Sequence, residues 1–158
     1  MYYGEVQTAV DDKGRIMVPQ QFRAVMDVFD HETWCVTRGF ENYLFLFHKK
    51  SWEQFLADNA KVFQGLDSKR SMLRRMFVGG MEKLKRDGQG RLAIPAHLRE
   101  YVGMDREAVL IGVGDHLELW SKSGWLAYQE RQSEAYKNLA DELFMDSNAA
   151  AAITGVCG

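Results

Sequence analysis

The chain has 158 residues with 20 basic and 22 acidic side chains, so its formal net charge of −2 gives no overall attraction to nucleic acid. A hydrophobic content of 46% argues against disorder, and no apolar run approaches the roughly 18 residues that span a bilayer. Two cysteines are too few for a disulfide framework, and the N-terminus lacks the basic start and apolar core of a signal peptide, so we expect a reduced, cytoplasmic protein.

The first predicted elements are two strands separated by a tight turn. Apolar and β-branched residues alternate over 6–10 and again over 16–18, with the sequence DDKG in the turn between them. Gly14 is expected to take a positive φ in this turn. Pro19 ends the second strand and suits the first turn of a short helix that follows it.

The next predicted elements are a hairpin and two helices. The hairpin is predicted by the sequence WCVTRGFENYLFLF, and Ser51 suits the cap of a helix whose apolar residues recur at helical spacing over 52–63. A further helix is expected from about Ser68 to the glycines at 79–80, with four residues facing inward (Met72, Leu73, Met76 and Phe77) and three facing outward (Arg70, Arg74 and Arg75). Basic side chains outnumber acidic ones between residues 69 and 91, so this middle segment permits DNA binding although the whole chain is nearly neutral.

The second half of the chain repeats the first. Residues 87–99 read DGQGRLAIPAHLR and align without a gap with residues 11–23, DDKGRIMVPQQFR. Residues 116–125 read HLELWSKSGW and resemble residues 43–52, YLFLFHKKSW. We therefore predict a second strand–turn–strand–helix–hairpin unit, followed by one longer helix over 125–145. The predicted organisation is a first repeat with a helical extension at 1–79, a second repeat with its helix at 80–145, one core shared by both, and a frayed tail at 146–158.

The sequence carries no pattern typical of an enzyme or of a metal site. Its four histidines are scattered without helical pairing or a cysteine partner, and the motifs of common nucleophiles and zinc sites are missing. The glycines of RDGQGRLAIP precede a strand and a proline, whereas a phosphate loop leads directly into a helix N-terminus. We therefore expect no enzyme activity, cofactor, metal or small-molecule substrate, an expectation that a deep pocket with a strongly pKa-shifted residue would oppose.

The Asp–x–x–x–Arg pattern occurs once in each repeat, as Asp11 with Arg15 and as Asp87 with Arg91. Each pair spans the predicted turn, so its members are close enough to form a salt bridge. One interpretation is a structural clamp that only fixes the turn. In the other, the aspartate orients an arginine whose planar donors match phosphate oxygens and guanine edges. Further basic residues flank the same turns, which a clamp alone does not require: Lys13, Arg23, Arg86 and Arg99.

The doubled motif resembles the signature of the AbrB-type (SpoVT-AbrB) DNA-binding domain. That signature is D-x-K-G-R, hydrophobic-x-hydrophobic-P and x-x-hydrophobic-R, which DDKGRIMVPQQFR matches fully and DGQGRLAIPAHLR matches without the lysine. Two copies in one chain, after a Met-aromatic-x-Gly start, are similar to the MraZ family over residues 1 to about 145. The resemblance implies a mixed α+β fold with peripheral helices. Its centre would be a pseudo-two-fold, interleaved β-barrel of swapped hairpins (AbrB-like, double-psi type), in which each copy completes the core of the other.

The same resemblance implies a sequence-specific DNA-binding transcriptional regulator. Such a protein would repress the division and cell-wall gene cluster and its own promoter, binding direct repeats in double-stranded DNA as a ring-shaped homo-oligomer, at the nucleoid and without a membrane. The predicted DNA-binding residues are Asp11, Lys13, Arg15, Arg23, Arg86, Asp87, Arg91 and Arg99.

The two copies and their possible partners are not expected to be equivalent. The second copy has Gly88 and Gln89 where the first has Asp12 and Lys13, so the first is expected to contact DNA more strongly. The alternative function is that of an antitoxin-like protein of the same fold, which binds a toxin partner. Antitoxins of this kind usually carry one copy and a disordered tail, whereas this chain has two copies and a helical pattern near its C-terminus.

Overall fold

A computed structural model of the chain describes residues 1–28 and 33–157, with side chains described as far as residue 146. Strands and helices follow the order that the repeat predicts. The elements are β1 Tyr2–Ala9, β2 Arg15–Met17, α1 Gln20–Val28, β3 Thr33–Arg38, β4 Tyr43–His48, α2 Lys49–Asp58, α3 Ala60–Phe63, α4 Ser68–Phe77, β5 Glu82–Lys85, β6 Arg91–Ala93, α5 Ala96–Tyr101, β7 Glu107–Gly114, β8 Leu117–Ser121 and α6 Lys122–Cys157.

Three helix boundaries differ from the sequence prediction. The cap of α2 is His48, whose Nδ1 accepts a hydrogen bond from the Ser51 backbone N–H at 3.2 Å, so the helix starts before the predicted serine cap. The single helix expected over 52–63 is divided between α2 and α3 at Asn59. The last helix begins three residues earlier than predicted, at Lys122, and continues to Cys157. Fraying of residues 146–158 in solution stays a prediction.

Helix α4 buries a narrower stripe than its pattern suggested. Phe77 is buried, but Met72 and Met76, expected to face inward, are exposed. Arg74, expected to face outward, donates from Nη1 to the carbonyl oxygens of Phe63 and Gly65 at 2.8 and 2.9 Å. A peripheral helix needs only one contact line with the rest of the protein, so apolar spacing alone overstates its buried face.

The strands of the two repeats alternate in a pseudo-two-fold arrangement. The six-stranded antiparallel sheet has the order β1-β7-β8-β4-β3-β5, and β2 pairs with β6 in a separate two-stranded sheet. The counterpart strands of the two repeats are β1 and β5, β2 and β6, β3 and β7, and β4 and β8. Replacing every strand of the large sheet by its counterpart gives the same order in the opposite direction. Ile16 pairs with its own counterpart Leu92, and Phe45 pairs with its own counterpart Glu118, so the pseudo-two-fold axis passes between these pairs.

The mixed α+β class with peripheral helices is confirmed, and the topology is compatible with an AbrB-like fold. The first strand of each repeat pairs with the third strand of the other: β1 pairs with β7, and β5 pairs with β3. Among the described residues, the hydrogen-bonded ladder of the large sheet ends at β1 and β5, and a single bridge from Val10 to Ile16 connects β1 with β2. The backbone hydrogen bonds therefore form an open sheet and a ribbon rather than one closed barrel ring.

Both repeats contribute to one hydrophobic core. Its buried members from the first repeat include Ile16, Val18, Phe22, Trp34, Leu44 and Leu46, and those from the second include Leu92, Ile94, Leu98, Leu110, Leu117 and Leu119. Counterparts in the two motifs, such as Ile16 and Leu92, therefore lie in the same core. Burial of one apolar side chain of this size stabilises a fold by about 1.5–3 kcal/mol. Because side chains of one repeat are buried against those of the other, a single copy would lose much of this stabilisation.

A second, aromatic layer lies on the other face of β4. All six residues of β4 are buried, because alternate side chains of a strand point to opposite faces and both faces are covered. Phe45 and Phe47 pack against aromatic rings from the α2–α4 segment, with Phe45 to Phe77 at 5.6 Å and Phe47 to Trp52 at 5.6 Å between centroids. This layer explains why the sequence YLFLF is continuously apolar.

The chain divides into two compact units, Met1–Gly124 and Trp125–Gly158. The first contains all the strands named above and both motifs. The second consists of the remaining length of α6, on which Leu126, Leu139, Leu143 and Phe144 are exposed. The repeat boundaries at 79 and 145 stay predictions. Within residues 1–28 and 33–157, none of the helices combines the length and apolarity required to cross a bilayer.

Candidate nucleic-acid interface

The first predicted site is the turn between β1 and β2, which Asp11 closes from both sides. Its backbone N–H donates to the Arg15 carbonyl at 3.0 Å, and its own carbonyl accepts from the Gly14 N–H at 2.9 Å. Its carboxylate Oδ1 accepts from the backbone N–H groups of Lys13 and Arg15, each at 2.9 Å. The other oxygen, Oδ2, accepts from Arg15 Nε at 2.7 Å. One carboxylate therefore fixes both the turn and the arginine side chain.

The second turn, between β5 and β6, has nearly the same geometry. Asp87 Oδ1 accepts from the backbone N–H groups of Gln89 and Arg91 at 2.9 Å, and Oδ2 accepts from Arg91 Nε at 2.8 Å. Gly14 and Gly90 have φ values of 75° and 82°, so the positive φ predicted for Gly14 is confirmed and its counterpart Gly90 has the same conformation. The structural clamp is therefore present in each repeat.

Hydrogen bonding also keeps both clamping carboxylates ionised. The backbone N–H of Arg15 is the main reason that the pKa of Asp11 lies below its usual value, with the Arg15 side chain adding to the effect. The backbone N–H of Arg91 lowers the pKa of Asp87 in the same way. An ionised aspartate holds a guanidinium more strongly than a protonated one, so the clamps are intact at neutral pH.

The structure brings the two turns together beside the β2–β6 ribbon. Arg91 Nη1 lies 4.0 Å from Asp11 Oδ2, so the second arginine also approaches the first carboxylate. The Gly14 carbonyl accepts from the Ile94 N–H at 3.0 Å, and the Gly90 carbonyl accepts from the Val18 N–H at 3.3 Å. Each turn is thus hydrogen-bonded to the strand end of the opposite repeat.

The clamped arginines keep part of their donor surface available to solvent. The side chains of Arg15 and Arg91 are 27% and 26% exposed, and Lys13 is exposed beside the first of them. A guanidinium has five N–H donors, and the hydrogen bond to the aspartate uses only the Nε one. The Nη groups can therefore donate to a phosphate or a guanine edge while the clamp holds the side chain.

The remaining predicted arginines have protein contacts of their own. Arg86 is only 15% exposed and donates from Nη2 to Asp27 at the end of α1, at 2.8 Å. Arg23 lies against Gly90, and Arg99 lies against Gly14. A shallow depression of about 320 Å³ beside the second turn is lined by Arg23, Arg86, Asp87, Gly88 and Gly90. All eight predicted residues therefore belong to the two turns or to the elements that pack on them.

Sequence reasoning did not identify Asp27 or the crossed contacts of Arg23 and Arg99. Asp27 lies in a helix with no motif around it, so nothing in the sequence pointed to its pair with Arg86. Among the described residues, no group of three or more His, Cys, Asp or Glu side chains could hold a metal ion. His31, one of the four scattered histidines, lies outside the described residues.

Comparisons with known proteins agree with the doubled motif. The model of the family described as "MraZ protein, putative antitoxin-like" matches residues 1–74 and 76–146. A protein of Syntrophomonas wolfei subsp. wolfei named "Transcriptional regulator MraZ" is 35% identical over 146 residues, which is 90% of this chain and 96% of the relative. Proteins of the same name are 34% identical over 146 residues in Moorella thermoacetica and 32% identical over 143 residues in Heliobacterium modesticaldum, with the same coverage.

Proposed function

The chain belongs to the MraZ family, and from that premise we propose that it is a sequence-specific DNA-binding transcriptional regulator that contacts DNA through its two Asp–Arg turns. The family is one of transcriptional regulators and not of enzymes. The observation that carries the proposal is that the two clamps lie close together. Arg91 Nη1 is 4.0 Å from Oδ2 of Asp11, the carboxylate that binds Arg15. The predicted eight-residue set forms the proposed DNA-binding surface.

The members of this surface have different proposed roles. Arg15 and Arg91 project the donors that reach phosphates or base edges, and Asp11 and Asp87 hold them in position. Lys13 adds an exposed charge to the first turn, where the second turn has a glutamine. We therefore propose that the first turn contributes more affinity. DNA binding would occur at the nucleoid in the cytoplasm.

The proposed targets follow from the family resemblance. They are direct repeats in the promoter of the division and cell-wall gene cluster and in the protein's own promoter, where binding represses transcription. One chain offers few phosphate contacts, and each neutralised phosphate contributes a log–log salt slope of about 0.9, so a single repeat is bound weakly. A ring of several chains on spaced repeats gains effective concentration without new contacts.

Exposed apolar surface supports assembly into an oligomer. A largely apolar depression of about 370 Å³ is lined by Phe40, Phe55, Asn59, Val62, Phe63 and Leu73. Leu66 beside α4 is 88% exposed, and the second unit separately exposes the apolar residues named above for α6. A depression lined mainly by apolar side chains is a candidate interaction site. Head-to-tail contacts are proposed, because heterologous interfaces close into rings.

An antitoxin-like role is the second candidate, because the family description contains that term. The chain offers two complete motifs and a helix over Lys122–Cys157, rather than one motif and a disordered toxin-wrapping tail. Binding of a toxin partner is therefore the weaker proposal. A competition experiment between promoter DNA and a candidate toxin would show whether the two bind the same surface of the protein or separate surfaces.

The test compares Arg15→Ala with the parent in thermal melting and in fluorescence anisotropy on operator and scrambled DNA. The fold should persist, since an ion pair that stays in contact with solvent contributes little to stability. Operator affinity should fall by about 1–3 kcal/mol per lost bidentate base contact, or weaken on all sequences if the contact is to phosphate. Arg75→Ala removes the same charge from an exposed position on α4 and should bind as the parent does. Parent-like binding by Arg15→Ala would reduce the pair to a turn clamp.

A further inference from the structure

We propose that Arg99 and Arg23 are positioning residues, each of which holds the turn of the opposite repeat in its binding-competent shape. The consequence for DNA rests on the function proposed above, but the contact between arginine and turn does not. Arg99, from the second repeat, would support the turn of Asp11 and Arg15. Arg23, from the first repeat, would support the turn of Asp87 and Arg91.

The first observation is the close approach of Arg99 to Gly14. Gly14 has a positive φ, and a Cβ built on it would overlap Nε and Cζ of Arg99. The guanidinium therefore lies directly on the glycine, in the space that any other residue would fill with a side chain. Glycine is needed at this position both for the backbone conformation and for the arginine.

The second observation is that hydrogen bonds through Ile94 also connect Arg99 with Gly14. Arg99 Nε donates to the Ile94 carbonyl at 2.9 Å, and the Ile94 N–H donates to the Gly14 carbonyl at 3.0 Å. Arg99 is thus fixed to the same residue that binds the turn. Gly14 is therefore held both by the hydrogen bond to its carbonyl and by its contact with Arg99.

The second turn has the same arrangement in a looser form. A Cβ built on Gly90 would lie 2.7 Å from Nη1 of Arg23, which is the far end of that side chain. The Val18 N–H reaches the Gly90 carbonyl at 3.3 Å, and Arg23 Nε is buried with no hydrogen-bond partner among the described residues. The support of the first turn by Arg99 is therefore the stronger of the two.

The support has a direct consequence for the clamp. Asp11 Oδ1 binds the backbone N–H groups on both sides of Gly14, those of Lys13 and Arg15. If Gly14 shifts, these two N–H groups shift with it. The backbone of Arg15 is then no longer held in place, and neither is the side chain that it carries. Loss of Arg99 should therefore loosen the first turn and leave the second unchanged, although Arg99 belongs to the second repeat.

Hydrogen–deuterium exchange of the full-length protein without DNA tests the contact itself. In Arg99→Ala, peptides covering 11–16 should exchange about two- to tenfold faster, as expected when one hydrogen bond is lost locally, while peptides covering 87–92 should not change. Arg23→Ala should give the reverse pattern, with a smaller effect. Arg99→Lys keeps the charge but not the planar fork, so it should behave like Arg99→Ala, and it serves if the alanine variant does not fold.

Double-mutant cycles of operator affinity test the consequence for DNA. Arg99→Ala should lower affinity severalfold alone, add little in an Arg15→Ala background, and retain its full effect in an Arg91→Ala background. If Arg99 contacted DNA directly, the effects of Arg99→Ala and Arg15→Ala would add, and for a contact to phosphate through charge alone Arg99→Lys would also bind nearly as well as the parent. Either result, or faster exchange only in the turn of the second repeat, would overturn the proposal. If the parent binds no DNA, the proposed function fails, and the exchange data alone decide whether the arginines position the turns.

Discussion

The substitution Gly14→Ala tests how much the contact between Arg99 and the first turn contributes to the free energy of unfolding, because a Cβ at residue 14 would occupy the space that Arg99 fills. Gly14 has φ 75° and Arg99 in the position of its missing Cβ, whereas Gly103 has φ 62° and no described atom within 4 Å of a built Cβ. The two substitutions share the cost of placing an L-residue in the left-handed region. Gly14→Ala must in addition displace an arginine, so Gly103→Ala, at an exposed position, is the control for the backbone cost.

The expected magnitudes follow from these contacts. Alanine in the left-handed region costs roughly 1–2 kcal/mol, which should be the whole effect of Gly103→Ala. In Gly14→Ala, Arg99 must also move, and the hydrogen bond from its Nε to Ile94 contributes about 1 kcal/mol of stability. We therefore expect a loss of about 2–3 kcal/mol for Gly14→Ala. In an Arg99→Ala background, the penalty of Gly14→Ala should fall to that of Gly103→Ala.

Urea unfolding followed by tryptophan fluorescence, at one fixed chain concentration, gives these free energies of unfolding. The concentration must be fixed because assembly would add to the apparent stability. An unchanged m-value would show that the native and unfolded states keep their compactness. Equal losses for Gly14→Ala and Gly103→Ala, or an undiminished penalty without Arg99, would refute the inferred seating of the arginine on the glycine.

Three further predictions concern the turns, the assembly and the partly buried carboxyl group of Glu118. Arg91→Ala should lower operator affinity less than Arg15→Ala in anisotropy titrations, because its turn lacks the lysine found at Lys13. A variant locked as a monomer should bind a multi-repeat operator far more weakly than the assembly, and equal affinities would exclude multivalent binding. Burial raises the pKa of Glu118, so its stabilising contribution is present below its unfolded-state pKa and is lost as pH rises through the folded-state value. Glu118→Gln should therefore raise the melting temperature at pH 7, and the gain should vanish near pH 4.

The sequence predicted most of the architecture because the repeat constrains it strongly. A doubled strand–turn–strand–helix–hairpin pattern fixes the order of the elements, and counterpart residues such as Ile16 and Leu92 must lie near a common axis if the copies share a core. The turn glycines were predictable for a local reason, since only glycine takes a positive φ without strain. The Asp–Arg clamps were predictable as well, because both partners lie within five residues of one another.

Contacts between distant segments could not be read from the sequence. The pairing of Arg86 with Asp27 and the seating of Arg99 on Gly14 depend on how the repeats interleave, which local patterns do not encode. The inward assignment of Met72 failed for a related reason, because periodicity indicates an apolar face but not how much of it another element covers. These errors all concern tertiary packing rather than local conformation.

Joining two copies in one chain allows them to differ where a symmetric dimer could not. At the axis between β4 and β8, a symmetric dimer would place Phe45 against another phenylalanine or Glu118 against another glutamate. In this chain Phe45 faces Glu118, whose carboxylate accepts a hydrogen bond from Trp120 Nε1 at 3.0 Å. A glutamate pair at that position would bring two partly buried like charges together, which disfavours ionisation of both. The single chain therefore permits an aromatic layer on one repeat and a charged group on the other, and by the same freedom one turn carries Lys13 while the other does not.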